Sequence, residues 1–119
     1  MTLLYVFVAG GLGCLARYGI SSMFHGDALP WATFGINIVG SFLLGILLVV
    51  SGDWLTDQTR AALGVGFLGG FTTFSTFSVQ AWADIEGGEP LKAFVYVGAS
   101  VIFGIAAAAA GYYLARAAN

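Results

Sequence analysis

The sequence predicts an all-α integral membrane protein in which four transmembrane helices form a single domain over residues 1–119. The first observation is composition: 59% of the residues are hydrophobic and 8% are charged, which is outside the range of soluble domains of this size. The second is that the apolar residues form four runs, each close to the ~20 residues that cross a hydrocarbon layer. The third is that the polar connections between the runs contain all six acidic residues and both prolines.

The predicted spans cover residues 3–24, 31–50, 59–82 and 90–116, with a polar connection HGDALP at 25–30. We expect the first run to remain as a span, because it shows neither a basic leader nor a convincing signal-peptide cleavage site. We expect a multi-pass protein of the cell inner (plasma) membrane, surrounded by lipid and without a nucleic-acid partner. Aromatic residues cluster near the predicted span ends, where amphipathic rings favour the headgroup region: Tyr5, Tyr18, Trp31, Trp54, Trp82, Tyr112 and Tyr113.

The first predicted span contains one full charge, Arg17. A charge at membrane depth is a candidate functional residue, although an arginine near a span end can also extend its long stem to the interface; both interpretations stay open here. No Asp, Glu, Lys or His lies well within any of the four runs. Because enzymes and proton-coupled transporters use titratable groups, we expect passive movement of a solute, or a docking role, and no enzymatic activity.

Polar residues follow one face of the second and fourth predicted spans. Thr33, Asn37 and Ser41 recur at intervals of four, and Tyr96 and Ser100 repeat this spacing, which places each set on one side of a helix. Small polar residues commonly mediate helix contacts in membranes, so packing alone explains a single Ser or Thr. An unsatisfied amide in hydrocarbon is costly, and Asn37 therefore indicates a polar path.

The third predicted span combines glycine, hydroxyl and phenyl side chains in the stretch GFLGGFTTFSTF. Its glycines predict a break in the helix, and non-helical backbone at this depth requires burial in protein or a polar cavity. Carbonyl groups freed at such a break can coordinate a cation. Hydroxyl groups and phenyl rings form adjacent stripes: Thr72, Ser75 and Thr76 in the first, and Phe71, Phe74 and Phe77 in the second.

Together these polar groups suit a small anion better than a cation. Hydroxyl groups and the Asn37 amide donate hydrogen bonds, phenyl edges carry the positive part of the ring quadrupole, and Arg17 adds positive potential at one mouth. A cation path would instead need carboxylates or carbonyl groups along the route. The residue types do not by themselves identify the ion.

Four segments resemble the Fluc family of fluoride channels, also called CrcB: GGLGCLARY (10–18), TFGINIVGSFLLG (33–45), GFLGGFTTFSTFS (66–78) and YVGAS (96–100). The resemblance covers nearly the whole chain, and the third segment combined with the second is specific. It implies an antiparallel, dual-topology homodimer with two pores. Through these pores cytoplasmic fluoride would leave the cell passively, so that fluoride toxicity is reduced.

The resemblance also implies roles for individual residues. Phe74 and Phe77 resemble paired phenylalanines whose ring edges face fluoride. The carbonyl groups of Gly69 and Thr72, contributed by both subunits, resemble the ligands of a central sodium ion (Na+) that is structural and is not transported. The other pathway positions are the pore asparagine Asn37, the polar residues Thr33 and Ser100, the hydroxyl stripe with Ser75 and Thr76, Tyr96 near the rings, and Arg17 near a wide vestibule.

The basic residues predict the orientation of the chain independently of the family. Four spans place Arg60 and Arg116 on one side of the membrane, and Arg17 and Lys92 at the other. Orientation follows the excess of Lys and Arg on the cytoplasmic side, and here neither side has an excess. We therefore expect insertion in both orientations, and opposed copies could then pair about an axis in the membrane plane.

Three other functions compete with a channel. A small multidrug-type exporter would need an acidic residue in the first span, which has none. A proton-coupled fluoride exporter would need a titratable group in the membrane. A non-transporting membrane subunit would leave Asn37 and the phenyl pair without a role.

Overall fold

The computed structural model describes residues 1–24 and 30–118. Four helical stretches within these residues are long and apolar enough to cross a membrane. The predicted all-α architecture with four membrane-spanning helices is therefore confirmed, while the connection predicted at 25–30 lies, apart from Pro30, outside the described residues. The elements are α1 at Thr2–Ser22, α2 at Trp31–Val49, α3 at Asp57–Ala61, a π-helical segment at Ala62–Leu68, α4 at Gly69–Phe71, α5 at Ser75–Glu86 and α6 at Pro90–Ala118.

The third span begins before the apolar run from which it was predicted. Thr56 caps α3, because its hydroxyl oxygen accepts a hydrogen bond from the Thr59 N–H at 3.2 Å. Arg60 lies in the same turn and donates to the carbonyl oxygens of Leu47 and Val50 at the end of α2. The Arg60 guanidinium thus donates hydrogen bonds to carbonyl groups at the end of α2 that receive none from the helix itself. These polar contacts stabilise the first turn of the stretch, which covers Asp57–Glu86.

Glycine allows α2 and α6 to pack with their backbones in close contact. A Cβ atom built on Gly45 would overlap the carbonyl oxygen of Ala108, and one built on Gly111 would overlap that of Phe42. Backbone atoms of each helix thus occupy the space that a side chain at the glycine of the other helix would fill. Close approach through small residues is a common way for helices to associate in membranes.

Replacing Gly111 by alanine is expected to destabilise the protein by roughly 1–3 kcal/mol, because the added methyl group has to push α2 and α6 apart. Gly98 is the matched control on the same helix, since a Cβ there meets nothing within 4 Å. Gly98→Ala should be neutral or stabilising by up to about 1 kcal/mol, as alanine favours helix. Thermal unfolding in detergent compares the two variants. Equal stability of both would contradict the close backbone contact.

The backbone pattern of the third span changes along its length. Residues 62–68 are π-helical, while residues 72–74 are not helical, and Thr72 is extended with φ −84° and ψ 160°. Gly66 and Gly70 lie before these residues in helical backbone. Their missing side chains bring α1 close: a Cβ on Gly70 would lie 2.5 Å from the Gly10 carbonyl oxygen. The glycines therefore serve packing, and the non-helical residues follow them.

A tight turn joins α5 to α6. Gly88 has φ 84°, a conformation that side chains other than glycine rarely adopt. The Glu89 N–H donates to the Asp84 carbonyl oxygen at 2.8 Å, which closes the turn. Pro90 then begins α6, a position that suits proline because the first helical N–H has no partner. The turn holds the first residues of α6 beside the last turn of α5.

Candidate ion pathway

A cavity of about 510 Å³ lies between α2, the third span and α6. We call it the phenyl cavity. No charged side chain lines it within the described part of the chain. Its lining unites several of the predicted pathway residues: Asn37, Gly69, Thr72, Phe74, Phe77 and Ser100.

A second cavity of about 420 Å³ lies between α1, α2 and α5. We call it the Arg17 cavity. Besides Arg17 it contains the predicted residues Thr33 and Thr76. Its lining also includes the polar residues Ser21, Gln80 and Asp84.

Tyr96 contacts one lining residue of each cavity. Its hydroxyl group donates to Gln80 Oε1 at 3.0 Å, on the side of the Arg17 cavity. Its ring lies with its centroid 5.1 Å from that of Phe77, which lines the phenyl cavity. Tyr96 is 6% exposed and is itself not a lining residue of either cavity. The predicted residue Ser75 is exposed and lines neither cavity.

The Asn37 side chain binds the non-helical backbone of the third span. Its Nδ2 donates to the Thr73 carbonyl oxygen at 3.1 Å, and its Oδ1 accepts from the Thr73 N–H at 3.0 Å. This pair of bonds satisfies two backbone groups that the helix no longer pairs. An amide carries two N–H donors, so one hydrogen on Nδ2 remains for another acceptor. Asn37 therefore supports the backbone and still presents a donor at the phenyl cavity.

Two carbonyl groups beside this backbone have lost their usual helical donors. In an α-helix the Gly69 oxygen would accept from the Thr73 N–H, but that N–H donates to Asn37. The Thr72 oxygen would accept from the Thr76 N–H, which donates to the Thr73 hydroxyl oxygen at 3.3 Å instead. The geometry thus leaves both oxygens available to other ligands.

Arg17 points toward the third span. Its Nε donates to the Gly70 carbonyl oxygen at 3.3 Å, and the side chain is partly buried. The guanidinium carries further N–H donors, and the side chain also lines the Arg17 cavity. The charge thus lies beside the polar groups of this cavity.

The phenyl rings of the third span form two separate pairs. Phe74 and Phe77 have centroids 5.9 Å apart and ring planes tilted by 51°. Phe67 and Phe71 also lie 5.9 Å apart but are stacked, with 14° between their planes. Phe74 is 78% exposed, whereas Phe71 is 6% exposed. The Phe74–Phe77 pair lines the phenyl cavity, and its Phe74 ring lies at the surface of the chain.

Four polar residues of the site were absent from the sequence prediction: Ser21, Thr73, Gln80 and Asp84. Thr73 and Gln80 lie in the third span, and Gln80 follows Thr76 by four residues, a spacing that places both on one helical face. That spacing could have identified Gln80. Asp84 lies beyond the predicted end of the span, and its position in a cavity depends on where the fold places α5 relative to α1 and α2.

These features define a small four-span membrane protein in which polar side chains of the other three spans donate hydrogen bonds to the third. The chain belongs to the CrcB family, since the family model described as CrcB-like protein, Camphor Resistance (CrcB) matches residues 4–112. The predicted resemblance is thereby confirmed. Family membership and the four spanning helices make the chain a multi-pass membrane protein.

Similar curated proteins carry the name fluoride-specific ion channel FluC. The relative from Thermus thermophilus is 42% identical over 118 residues, which cover 96% of this chain and 94% of the relative. The relative from Geotalea daltonii is 42% identical over 106 residues, covering 85% and 86%. The relative from Geobacter sulfurreducens is 38% identical over 120 residues, covering 97% of both chains.

Proposed function

We propose that this chain is a fluoride channel of the cell inner membrane that exports cytoplasmic fluoride passively. The observation that carries the proposal is the chemistry of the phenyl cavity. Ser100 Oγ is buried there without a hydrogen-bond partner among the described residues, and Asn37 keeps a free N–H. Hydrogen-bond donors and phenyl edges in a lining without described charges suit a small, strongly hydrated anion.

Passive exit is sufficient to remove the fluoride that accumulates in the cytoplasm. Hydrogen fluoride enters cells as a neutral weak acid and dissociates at cytoplasmic pH. An inside-negative potential then favours the exit of fluoride by about 2.3 kcal/mol per 100 mV. The channel name of the curated relatives agrees with transport rather than enzymatic chemistry.

Fluoride efflux from liposomes tests the proposal. The purified chain is reconstituted into vesicles loaded with potassium fluoride, and efflux is started with valinomycin and read with a fluoride electrode. We expect rapid efflux of fluoride. In a parallel experiment with potassium chloride and a chloride electrode, we expect no efflux above the level of protein-free vesicles. Fluoride efflux that requires an opposing proton gradient would favour a proton-coupled exporter instead, and no fluoride efflux would exclude conduction.

The functional unit is proposed to be an antiparallel homodimer. Its support is the balance of basic residues across the membrane and the exposed Phe74 ring, which a second copy would cover. One four-helix chain also offers too little interior to enclose a polar path while burying its own faces.

Forcing the orientation tests the antiparallel dimer. Several lysines added at the C-terminus should hold that end in the cytoplasm, and lysines added to the loop after α5 should hold the other side there. Either form alone should fail to protect fluoride-sensitive cells, and the two together should restore protection. Full protection by a single forced form would contradict the antiparallel arrangement.

A structural sodium ion is the second component that we propose. The Gly69 and Thr72 carbonyl oxygens fit this role, since both have lost their usual helical donors and oxygen is the ligand type that hard cations prefer. The ion would hold the irregular backbone of two copies together and would supply no transport chemistry. Exchange of sodium for a heavier monovalent ion that scatters anomalously would reveal a peak at these oxygens; an empty map there would exclude the site.

A further inference from the structure

The Arg17 cavity contains an acidic side chain that opposes the attraction of an anion. Asp84 lies in the last turns of α5 and lines this cavity together with Arg17. Its Oδ2 is buried and has no hydrogen-bond partner among the described residues. Within the described part of the chain Asp84 and Arg17 form no ion pair with each other. The carboxylate therefore contributes negative potential to the cavity unless another cation neutralises it.

Lys92 is the cation that contacts Asp84. Its Nζ lies 3.6 Å from Asp84 Oδ1, and the two side chains are 25% and 17% exposed. The turn closed by the bond from the Glu89 N–H to the Asp84 carbonyl oxygen holds the first turn of α6 against α5. Because the pair is largely withdrawn from water, salt screens it less than it screens a surface pair.

Lys92 also contacts Glu89, but in a different setting. Its Nζ lies 3.4 Å from Glu89 Oε2, and the Glu89 side chain is 60% exposed. Glu89 does not line the Arg17 cavity. Water and salt screen an exposed carboxylate, so Glu89 provides a matched control: it shares the lysine with Asp84 but should not influence the cavity.

We propose that Lys92 sustains anion entry by neutralising Asp84, so that the Arg17 cavity keeps a net positive potential. Lys92 is a positioning residue that acts through Asp84 and need not touch the ion. The role rests on the proposed fluoride conduction. Clefts lined by one sign of charge concentrate counter-ions and raise their rate of entry. An unpaired Asp84 would cancel this effect.

The test compares fluoride efflux of four variants with that of the unaltered protein in liposomes at low and high ionic strength. Lys92→Gln should lower flux on the order of tenfold at low ionic strength, and by less at high ionic strength, because salt screens the long-range potential that draws anions to the cavity. Lys92→Gln combined with Asp84→Asn should restore flux to within about twofold, since it removes both charges. Lys92→Arg should also retain flux, and Glu89→Gln should leave it unchanged.

The outcomes separate this inference from the proposed function. Absence of efflux from the unaltered protein would contradict conduction itself. Normal efflux by Lys92→Gln, or a loss that Asp84→Asn does not repair, would overturn the role of Lys92. If the Lys92→Gln variant does not assemble, the Asp84→Asn single variant tests the proposal. Unchanged or increased flux in that variant supports the proposal, and decreased flux overturns it.

Discussion

Fluoride flux is expected to fall by about a hundredfold when Phe74 and Phe77 are both replaced by isoleucine. Isoleucine keeps much of the bulk and all of the apolarity but has no positive ring edge to face an anion. If each edge contributes about 1.4 kcal/mol in the path, each loss corresponds to a factor of about ten. The measurement is efflux from liposomes at equal amounts of correctly assembled protein.

Phe67 is the control for this experiment. It lies in the same span and forms an aromatic pair of the same centroid distance, but it does not line the phenyl cavity. Phe67→Ile should therefore affect stability more than flux. Wild-type flux in a well-assembled Phe74→Ile, Phe77→Ile variant would show that these rings only pack.

Replacing Asn37 by leucine is expected to abolish flux and also to destabilise the protein. The substitution leaves the Thr73 N–H and carbonyl oxygen without their partners, and each unsatisfied buried group costs roughly 1–3 kcal/mol. It also removes the free N–H at the phenyl cavity. The variant should unfold at a lower temperature in detergent and show no fluoride efflux above that of empty vesicles.

Two further variants distinguish the roles of Asn37. Asn37→Asp keeps the oxygen that accepts from the Thr73 N–H but replaces the donors with a charge, so we expect no anion flux although the Thr73 N–H keeps its partner. Ser41→Ala removes a hydroxyl group from the same helical face and the same cavity, and should leave the unfolding temperature nearly unchanged. Asn37→Leu with normal stability and normal flux would contradict both roles.

The four spans could be predicted from the sequence because the cost of placing polar groups in hydrocarbon is a property of each segment by itself. The ends were less accurate where side chains cap the helix. The third span was predicted at 59–82, whereas the stretch in the structure is Asp57–Glu86. The capping bond of Thr56 and the contacts of Arg60 stabilise its first turn, and neither registers as hydropathy.

The roles of single residues were predicted only in part. The cost of an unsatisfied amide in hydrocarbon indicated a polar path at Asn37, but its two bonds to Thr73 depend on how α2 lies against the third span. The glycines of that span were expected to weaken the helix, whereas Gly66 and Gly70 lie in helical backbone against α1. The sequence alone does not distinguish a glycine that interrupts a helix from a glycine that lets another helix approach. The position of the neighbouring helix makes that distinction.

The sequence by itself determined that this chain crosses the membrane four times, belongs among fluoride channels by its motifs, and carries hydroxyl, amide and phenyl groups on shared helical faces. These properties follow from composition and helical periodicity, which are local. Only the tertiary structure decided which groups meet: Asn37 with Thr73, Tyr96 with Gln80, and Lys92 with Asp84. Each of these contacts joins residues of different spans. Their positions depend on the close backbone packing and the turn geometry that bring those spans together.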